Sequence, residues 1–264
     1  MQLVLAPNPG LMTGSGTNQY LLGERAPILV DVAAYDAENA RRLAEGLAGR
    51  RLGAIVLTHV HPDHVGGATA LRAASGAAVA VHASHAGFAW AGEPLAPARL
   101  LVDGDEIVHD AGRLRAVHTP GHESGHLCFH DPDRRWLFTG DLILGTGTTV
   151  VAPPDGDMVA YLASLRRLLQ LDLERILPGH GPVVDRPYEK IVEYLEHRTM
   201  RERQIVDALA AGVAEVAEMV RRIYVDVHPA LHGMAGLTVR AHLAKLVAEG
   251  AVVEEREDRF RLAR

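Results

Sequence analysis

The chain is poor in cysteine, in long apolar runs and in positive charge, and each shortage excludes something. Among 264 residues Cys128 is the single cysteine, so no internal disulfide can form. No apolar stretch approaches the roughly 20 residues that span a bilayer. The opening residues lack a basic-plus-apolar leader, because Met1 to Ala6 runs straight into Pro7-Asn8-Pro9-Gly10. Lys and Arg number 27 against 33 Asp and Glu, a formal net charge of −6, which lacks the global basic excess of a nucleic-acid binder. The expectation is a cytoplasmic protein with no membrane partner. At 264 residues and 48% hydrophobic content the chain can bury a sizeable core, as one large domain or a medium domain with an appendage.

What the chain does have is concentrated in Leu57-Thr58-His59-Val60-His61-Pro62-Asp63-His64-Val65-Gly66-Gly67, which sets three histidines and an aspartate within six positions. The preceding run Ala54-Ile55-Val56-Leu57 reads as a buried strand. The polar residues therefore leave a strand end, a rigid platform for ligands. His59 and His61 are two apart and point to one side of an extended segment. Asp63 and His64 lie beyond a proline, where the chain turns, and face a second point. Two imidazoles on one ion, with a carboxylate and an imidazole on another, form a dinuclear zinc arrangement. A lone histidine in a turn is ordinarily just a hydrogen-bonded polar group, and the chain has 15 of them. Four such residues beside a Gly-Gly pair, which permits close backbone approach, form a metal-binding pattern.

Around this turn the periodicity is α/β. Residues 2–5, 18–22 and 28–32 read as strands of a meander. A helix capped by Asp36 and ended by Gly49, a strand at 54–57, a short helix at 69–74 and a strand at 78–82 then alternate. Residues 83–99 read as a helix followed by a Pro-containing loop. His82 and His85 lack partners at ligand spacing and read as structural or solvated. Strands are expected at 114–118, 127–130, 136–141 and 175–178, and a helix at 158–169. Asp31, closing its strand, reads either as a turn or cap residue or as support behind the histidine turn.

Three more strand ends carry ligand-type residues. In His118-Thr119-Pro120-Gly121-His122-Glu123-Ser124-Gly125-His126, His122 at the apex of the Pro-Gly turn is the ligand candidate, and His126 is placed as support. Cys128, inside the next strand, reads as a buried inert thiol. Asp141 follows Gly140, where one carboxylate can bridge two cations. His180 follows Pro178-Gly179. His59, His61, Asp63, His64, His122, Asp141 and His180 make seven candidates, and two zinc ions need about three protein ligands each plus a bridge. The parsimonious division gives one zinc His59, His61 and His122 and the other Asp63, His64 and His180, bridged by Asp141. The loop Gly145-Thr146-Gly147-Thr148-Thr149 either helps to bind substrate or simply connects.

This seven-part pattern resembles the metallo-β-lactamase fold superfamily across residues 1–185. The resemblance implies an αββα sandwich with the metal pair at one edge. Zinc β-lactamases generally lack the bridging aspartate, so Asp141 points to the glyoxalase II, lactonase and ribonuclease side. The usual Asp-Thr-Gly after the third strand is here Asp31-Val32-Ala33. Gly16-Thr17-Asn18, the Gly140 to Thr149 segment, Pro178-Gly179-His180-Gly181-Pro182 and His197-Arg198-x-x-Arg201-Glu202-x-Gln204-Ile205 resemble the β-lactamase-like-protein-2 branch. Members of that branch include a single-strand-preferring endoribonuclease, and similar sequences release polyketides from carrier proteins as thioesterases. Asn18 and Thr146 are carried as substrate-loop residues.

Residues 186–264 are expected as a separate tail: helices at 187–211, 216–224 and 237–250, then a hairpin over 252–262, similar to a winged helix. A DNA-reading version needs a basic recognition helix. This one offers only Arg240, His242 and Lys245, so duplex DNA is disfavoured and a packing or substrate-shaping role is expected. The functional expectation is a metal-dependent hydrolase with two Zn²⁺, or Mn²⁺ or Fe²⁺ in their place. A metal-bridging hydroxide would act on an acyl bond, either Asp63 or a zinc-bound water would handle the proton, and His126 and Asp31 would support the ligands. Single-stranded RNA is the alternative substrate, and a metal-sensing regulator the third reading. A homodimer is compatible with the sequence.

Overall fold

The computed structural model describes residues 1–263. Two compact units divide them, the first holding 1–119, 125–147 and 171–187, the second 120–124, 148–170 and 188 onward.

The first unit contains two sheets. One has the order β1 (Gln2–Leu5), β2 (Asn18–Leu22), β3 (Ile28–Val30), β4 (Ala54–Val56), β5 (Ala78–His82), β8 (Arg99–Leu101). Its first three strands are antiparallel, and β3, β4, β5 and β8 pair in parallel. Parallel neighbours need crossovers, and helices α1 (Ala37–Leu47) and α3 (Ala68–Ser75) supply two of them. Helix α1 starts where the Asp36 carboxylate accepts from Asn39 N at 2.8 Å, and it ends at Ala48 in the left-handed region. Leu43 of α1 and Leu71 of α3 pack on Leu29, Ile55 and Val79 in one core.

The second sheet runs β13 (Arg175–Pro178), β12 (Trp136–Gly140), β11 (Leu127–Asp131), β10 (Gly112–His118), β9 (Glu106–His109). A second core joins the sheets face to face, with Tyr20, Val30 and Val56 from one and Leu114, Phe129, Phe138 and Leu177 from the other. Strand β4 thus buries Ile55 on one face and Val56 on the other, which is why it reads as an unbroken apolar run. Residues 83–99 differ from expectation. They form a 3-10 turn at Ala83–His85 and a small hairpin of β6 (Ala89–Trp90) and β7 (Glu93–Pro94). Ala91 and Gly92 at its tip both have positive φ, which no helix accommodates.

The second unit holds α4 (Met158–Leu168), α5 (Pro187–Ala210) from Tyr188 onward, α6 (Val216–Ile223), a 3-10 turn at Pro229–Leu231, α7 (His232–Ala248), and the hairpin of β14 (Val252–Arg256) and β15 (Arg259–Leu262). Ile205 and Leu209 of α5, Met219 and Ile223 of α6, Val239 and Leu243 of α7, and Phe260 of β15 form its core. Helix α7 begins five residues before the expected Leu237. Gly233 and Gly236 lie inside it, and a side chain at Gly236 would make ordinary contact with Val216 and Val220 at 3.8 Å. The basic side chains of α7 are occupied. Arg240 forks onto Asp258, and Lys245 reaches Glu202 at 2.8 Å and Glu249 at 2.9 Å. Among the described residues no helix is long and apolar enough to cross a membrane.

Candidate metal centre

Strand ends position the chemistry in the first unit. Asp31 leaves β3, the histidine turn leaves β4, Asp141 leaves β12 and His180 leaves β13. Pro62 opens a one-turn helix, α2 (Pro62–Val65), so the chain reverses between His61 and Asp63. Gly67 lets this turn lie on the segment that follows β3: a Cβ there would stand 2.1 Å from the Ala33 carbonyl oxygen.

The ligand atoms of Asp63, His64, Asp141 and His180 lie within 4.8 Å of one another. His64 Nε2 is 3.2 Å from His180 Nε2 and 3.2 Å from Asp141 Oδ1, and His180 Nε2 is 3.1 Å from Asp63 Oδ2. The far nitrogens fix the tautomers. His64 Nδ1 donates to Asp31 Oδ2 at 2.8 Å, and His180 Nδ1 donates to the Gly16 carbonyl at 3.2 Å. In the neutral rings both Nε2 atoms then carry the lone pair, and in the metal-free protein the surrounding carboxylates draw a proton there instead. Two lone pairs and two carboxylates at these distances attract a cation.

A second convergence adjoins the first. Thr58 Oγ1 donates to Asp31 Oδ2 at 2.8 Å, so its oxygen accepts from His59 Nδ1 at 2.9 Å. His59 Nε2 therefore turns its lone pair outward and lies 3.0 Å from His61 Nδ1. The rings of His59 and His64 are 4.2 Å apart. Asp31 thus holds His64 directly and His59 through Thr58.

The electrostatics agree. Burial opposes charge on His64, but Asp141 and Asp31 outweigh it and hold its pKa well above the usual imidazole value. Burial likewise opposes charge on His180, and Asp63 and Asp141 raise its pKa despite it. For Asp63 burial works towards a higher pKa, and the hydrogen bond from His180 with the charge of His64 turns the balance downward. The pocket draws positive charge, and its imidazole and carboxylate donors suit zinc, iron or manganese.

The remaining expected residues sort as follows. His126 is buried, its Nδ1 3.0 Å from Thr119 Oγ1 and its ring 5.1 Å from that of His59. Asn18, expected in the substrate loop, is buried as a brace: its amide donates to the carbonyls of Pro178 at 2.9 Å and Gly181 at 2.8 Å, on either side of His180. Tyr20 adds a hydroxyl donated to Pro178 O at 2.8 Å. Thr146 is exposed. Cys128 is buried, as expected. His82 and His118 stack at 4.4 Å and belong to neither convergence. Thr58 and Tyr20 carry no motif, and only Thr58's place beside His59 hinted at a role. In the second unit His122 Nδ1 donates to the Val150 carbonyl at 2.7 Å, which leaves the lone pair of the neutral ring on Nε2.

Gly179 supplies a test of the geometry. A Cβ there would stand 2.6 Å from His64 Cε1 and 2.8 Å from Asp141 Oδ1. Gly179→Ala is expected to fold and to bind one metal equivalent about 10–100-fold more weakly, the scale on which displaced ligand support is felt. Competitive chelator titration reads this, and unchanged affinity would show that His64 and Asp141 yield without loss.

Residues 12–180 match the metallo-beta-lactamase superfamily, and residues 216–260 match the beta-lactamase associated winged helix domain. A beta-lactamase-like protein 2 homolog of Caenorhabditis elegans is 35% identical over 98% of this chain and 88% of its own length. An atrochrysone carboxyl ACP thioesterase of Aspergillus fumigatus is 33% identical over 84% of this chain and 72% of its own. The crystal structure of a metallo-beta-lactamase family protein from Thermus thermophilus superposes with a TM-score of 0.84 at 24% identity, covering 99% of this chain and 98% of that one.

Proposed function

From the chain's place in the metallo-β-lactamase superfamily, to which it belongs together with the winged helix associated with that family, we propose that it is a two-zinc hydrolase of acyl thioesters. The observation that carries the metal reading is the convergence of Asp63, His64, Asp141 and His180 with both imidazole tautomers set from behind. The thioester reading draws on the similar thioesterase.

His59, His61 and His122 would hold one zinc and Asp63, His64 and His180 the other, with Asp141 as the shared carboxylate. Bound there, the pair supplies an activated water near neutral pH and a Lewis acid for the scissile carbonyl. The protein's part is positioning. Asp31 keeps the His64 and Thr58 hydrogen bonds aligned, Asn18 and Tyr20 hold the His180 turn, and Asp63 faces the site with a carboxylate able to take a proton. The occupied cations of α7 favour a packing role for the tail over duplex reading.

The test is one panel: the zinc-loaded chain and His61→Ala against an acyl-pantetheine thioester, a lactone and single-stranded RNA. Thioester turnover that is lost on chelation and in His61→Ala is expected. Dominant RNA cleavage that weakens steeply with salt would replace the acyl reading, and full activity of His61→Ala at normal zinc content would overturn the metal reading.

A further inference from the structure

The C-terminal helices bury one guanidinium that the proposed chemistry does not use. Arg198 on α5 is 2% exposed. Among the described residues no carboxylate forms an ion pair with it, and a buried charge needs compensation. What holds it is a carbonyl and a ring. Arg198 Nη2 donates to Thr149 O at 2.5 Å, and its guanidinium lies 5.0 Å from the centroid of the Tyr161 ring.

Thr149 is one of three consecutive residues, all in the second unit, held by that unit's own helices. Two positions on, Val151 N donates to Thr238 Oγ1 of α7 at 3.3 Å, and that hydroxyl belongs to a residue 4% exposed. Between these anchors stands Val150, whose carbonyl accepts from His122 Nδ1 at 2.7 Å. Helices α5 and α7 therefore pin both flanks of the peptide that orients His122.

The approach to His122 is held as well. Pro120 O accepts from Ser164 Oγ at 2.7 Å, and Gly121 O accepts from Asp157 N at 2.9 Å. Gly121 lies so close to α4 that a Cβ on it would stand 2.3 Å from Tyr161 Cα. Tyr161 is also the residue under Arg198. One buried arginine thus touches both supports of the same imidazole, the strap 149–151 on one side and α4 on the other.

We infer that Arg198 and Thr238 are positioning residues for His122, and that the C-terminal helices set the orientation of its imidazole through residues 149–151. The inference rests on the reading of His122 as a zinc ligand. A ring whose Nδ1–H is held by a fixed carbonyl keeps one tautomer and one orientation, and loosening such a partner typically weakens metal binding 10–100-fold.

The experiment uses the full-length chain, with zinc affinity from chelator competition and the visible spectrum of the cobalt-substituted protein as readouts. In Arg198→Met one equivalent is expected to bind about 10–100-fold more weakly, with an altered cobalt spectrum and the other equivalent unchanged. Arg198→Lys, which keeps a donor for Thr149 O, is expected to recover much of the loss. Thr238→Val is near-isosteric and tests the other anchor without removing a charge; it is expected to shift the spectrum in the same direction, and Thr238→Ser to restore it. Wild-type affinity and spectrum in both Arg198→Met and Thr238→Val would overturn the inference, even if melting temperatures fall. If Arg198→Met does not fold, Thr238→Val decides alone. His122→Ala separates the two levels. Loss of an equivalent there without loss in the positioning variants sinks only the inference, whereas retention of both equivalents in His122→Ala sinks the ligand reading beneath it.

Discussion

Asp141→Asn is expected to lower kcat/KM by about 10³-fold while leaving the fold intact. Asparagine keeps the shape of the side chain and removes its charge. Asp141 Oδ1 stands 3.2 Å from His64 Nε2 and 3.4 Å from His180 Nε2, so it faces the Nε2 edge of both rings. A bridging carboxylate neutralises part of the charge of two cations and keeps them close. Metal catalysis of this kind supplies several kcal/mol of charge stabilisation, and a loss of about 4 kcal/mol is about 10³ in rate. The metal-free variant has a second signature. Asp141 and Asp63 repel, since the charge of Asp141 acts to raise the Asp63 pKa. The same charge favours the protonated forms of His64 and His180, so removing it gives up two attractions for one repulsion: the melting temperature of the stripped protein is expected to fall only slightly, while the gain on adding zinc shrinks. Steady-state kinetics and thermal melts with and without zinc read both effects. Wild-type kcat/KM would remove Asp141 from the site, and a collapsed melting temperature in the stripped form would make its role structural.

Asp31→Ala is expected to be the most damaging change to the folded chain. Asp31 accepts from Thr58 N, Thr58 Oγ1 and His64 Nδ1, each at 2.8 Å, and all four groups are buried. Alanine leaves a buried amide and a buried imidazole N–H without their acceptor, a cost of about 1–3 kcal/mol for each unsatisfied group. It also places alanine at φ 61, in the left-handed region that aspartate and asparagine tolerate better. Together these predict a loss of about 3 kcal/mol or more in urea unfolding of the stripped protein. Both zinc equivalents are expected to weaken, because Asp31 holds His64 directly and His59 through Thr58. Asp31→Asn keeps the backbone conformation and one acceptor and is expected to fall between. A stripped Asp31→Ala as stable as wild type, or a loss confined to one equivalent, would contradict the two-way bracing.

The same contacts mark how far the residues alone could be read. Ligand candidates are legible because they sit in short segments at the ends of apolar runs, and strand ends are local features. Asp31 could be read only as a turn residue or as support. The choice depends on hydrogen bonds to Thr58 and His64, 27 and 33 positions away, which leave no trace in local pattern. Asn18 shows the same limit more sharply. The resemblance carries it as a substrate-loop residue, yet its amide is spent on Pro178 and Gly181, some 160 positions on. Residues 83–99 mislead in the other direction. Their alanines suggest a helix, but the left-handed Ala91–Gly92 tip and the bond from Leu95 N to Phe88 O close a hairpin instead. Helix α7 extends through Gly233 and Gly236, residues that locally disfavour a helix interior, so its start is not legible from propensity. The alternation of strands and helices, by contrast, follows directly from apolar periodicity and from caps such as Asp36.

The account stands most directly on the number of metal ions. Zinc titration of the chelator-stripped, full-length chain, followed by calorimetry, counts them. Two equivalents per chain are predicted, with hydrolysis returning as the second site fills. Saturation at one equivalent or none, or hydrolysis that persists in the stripped protein, would contradict it.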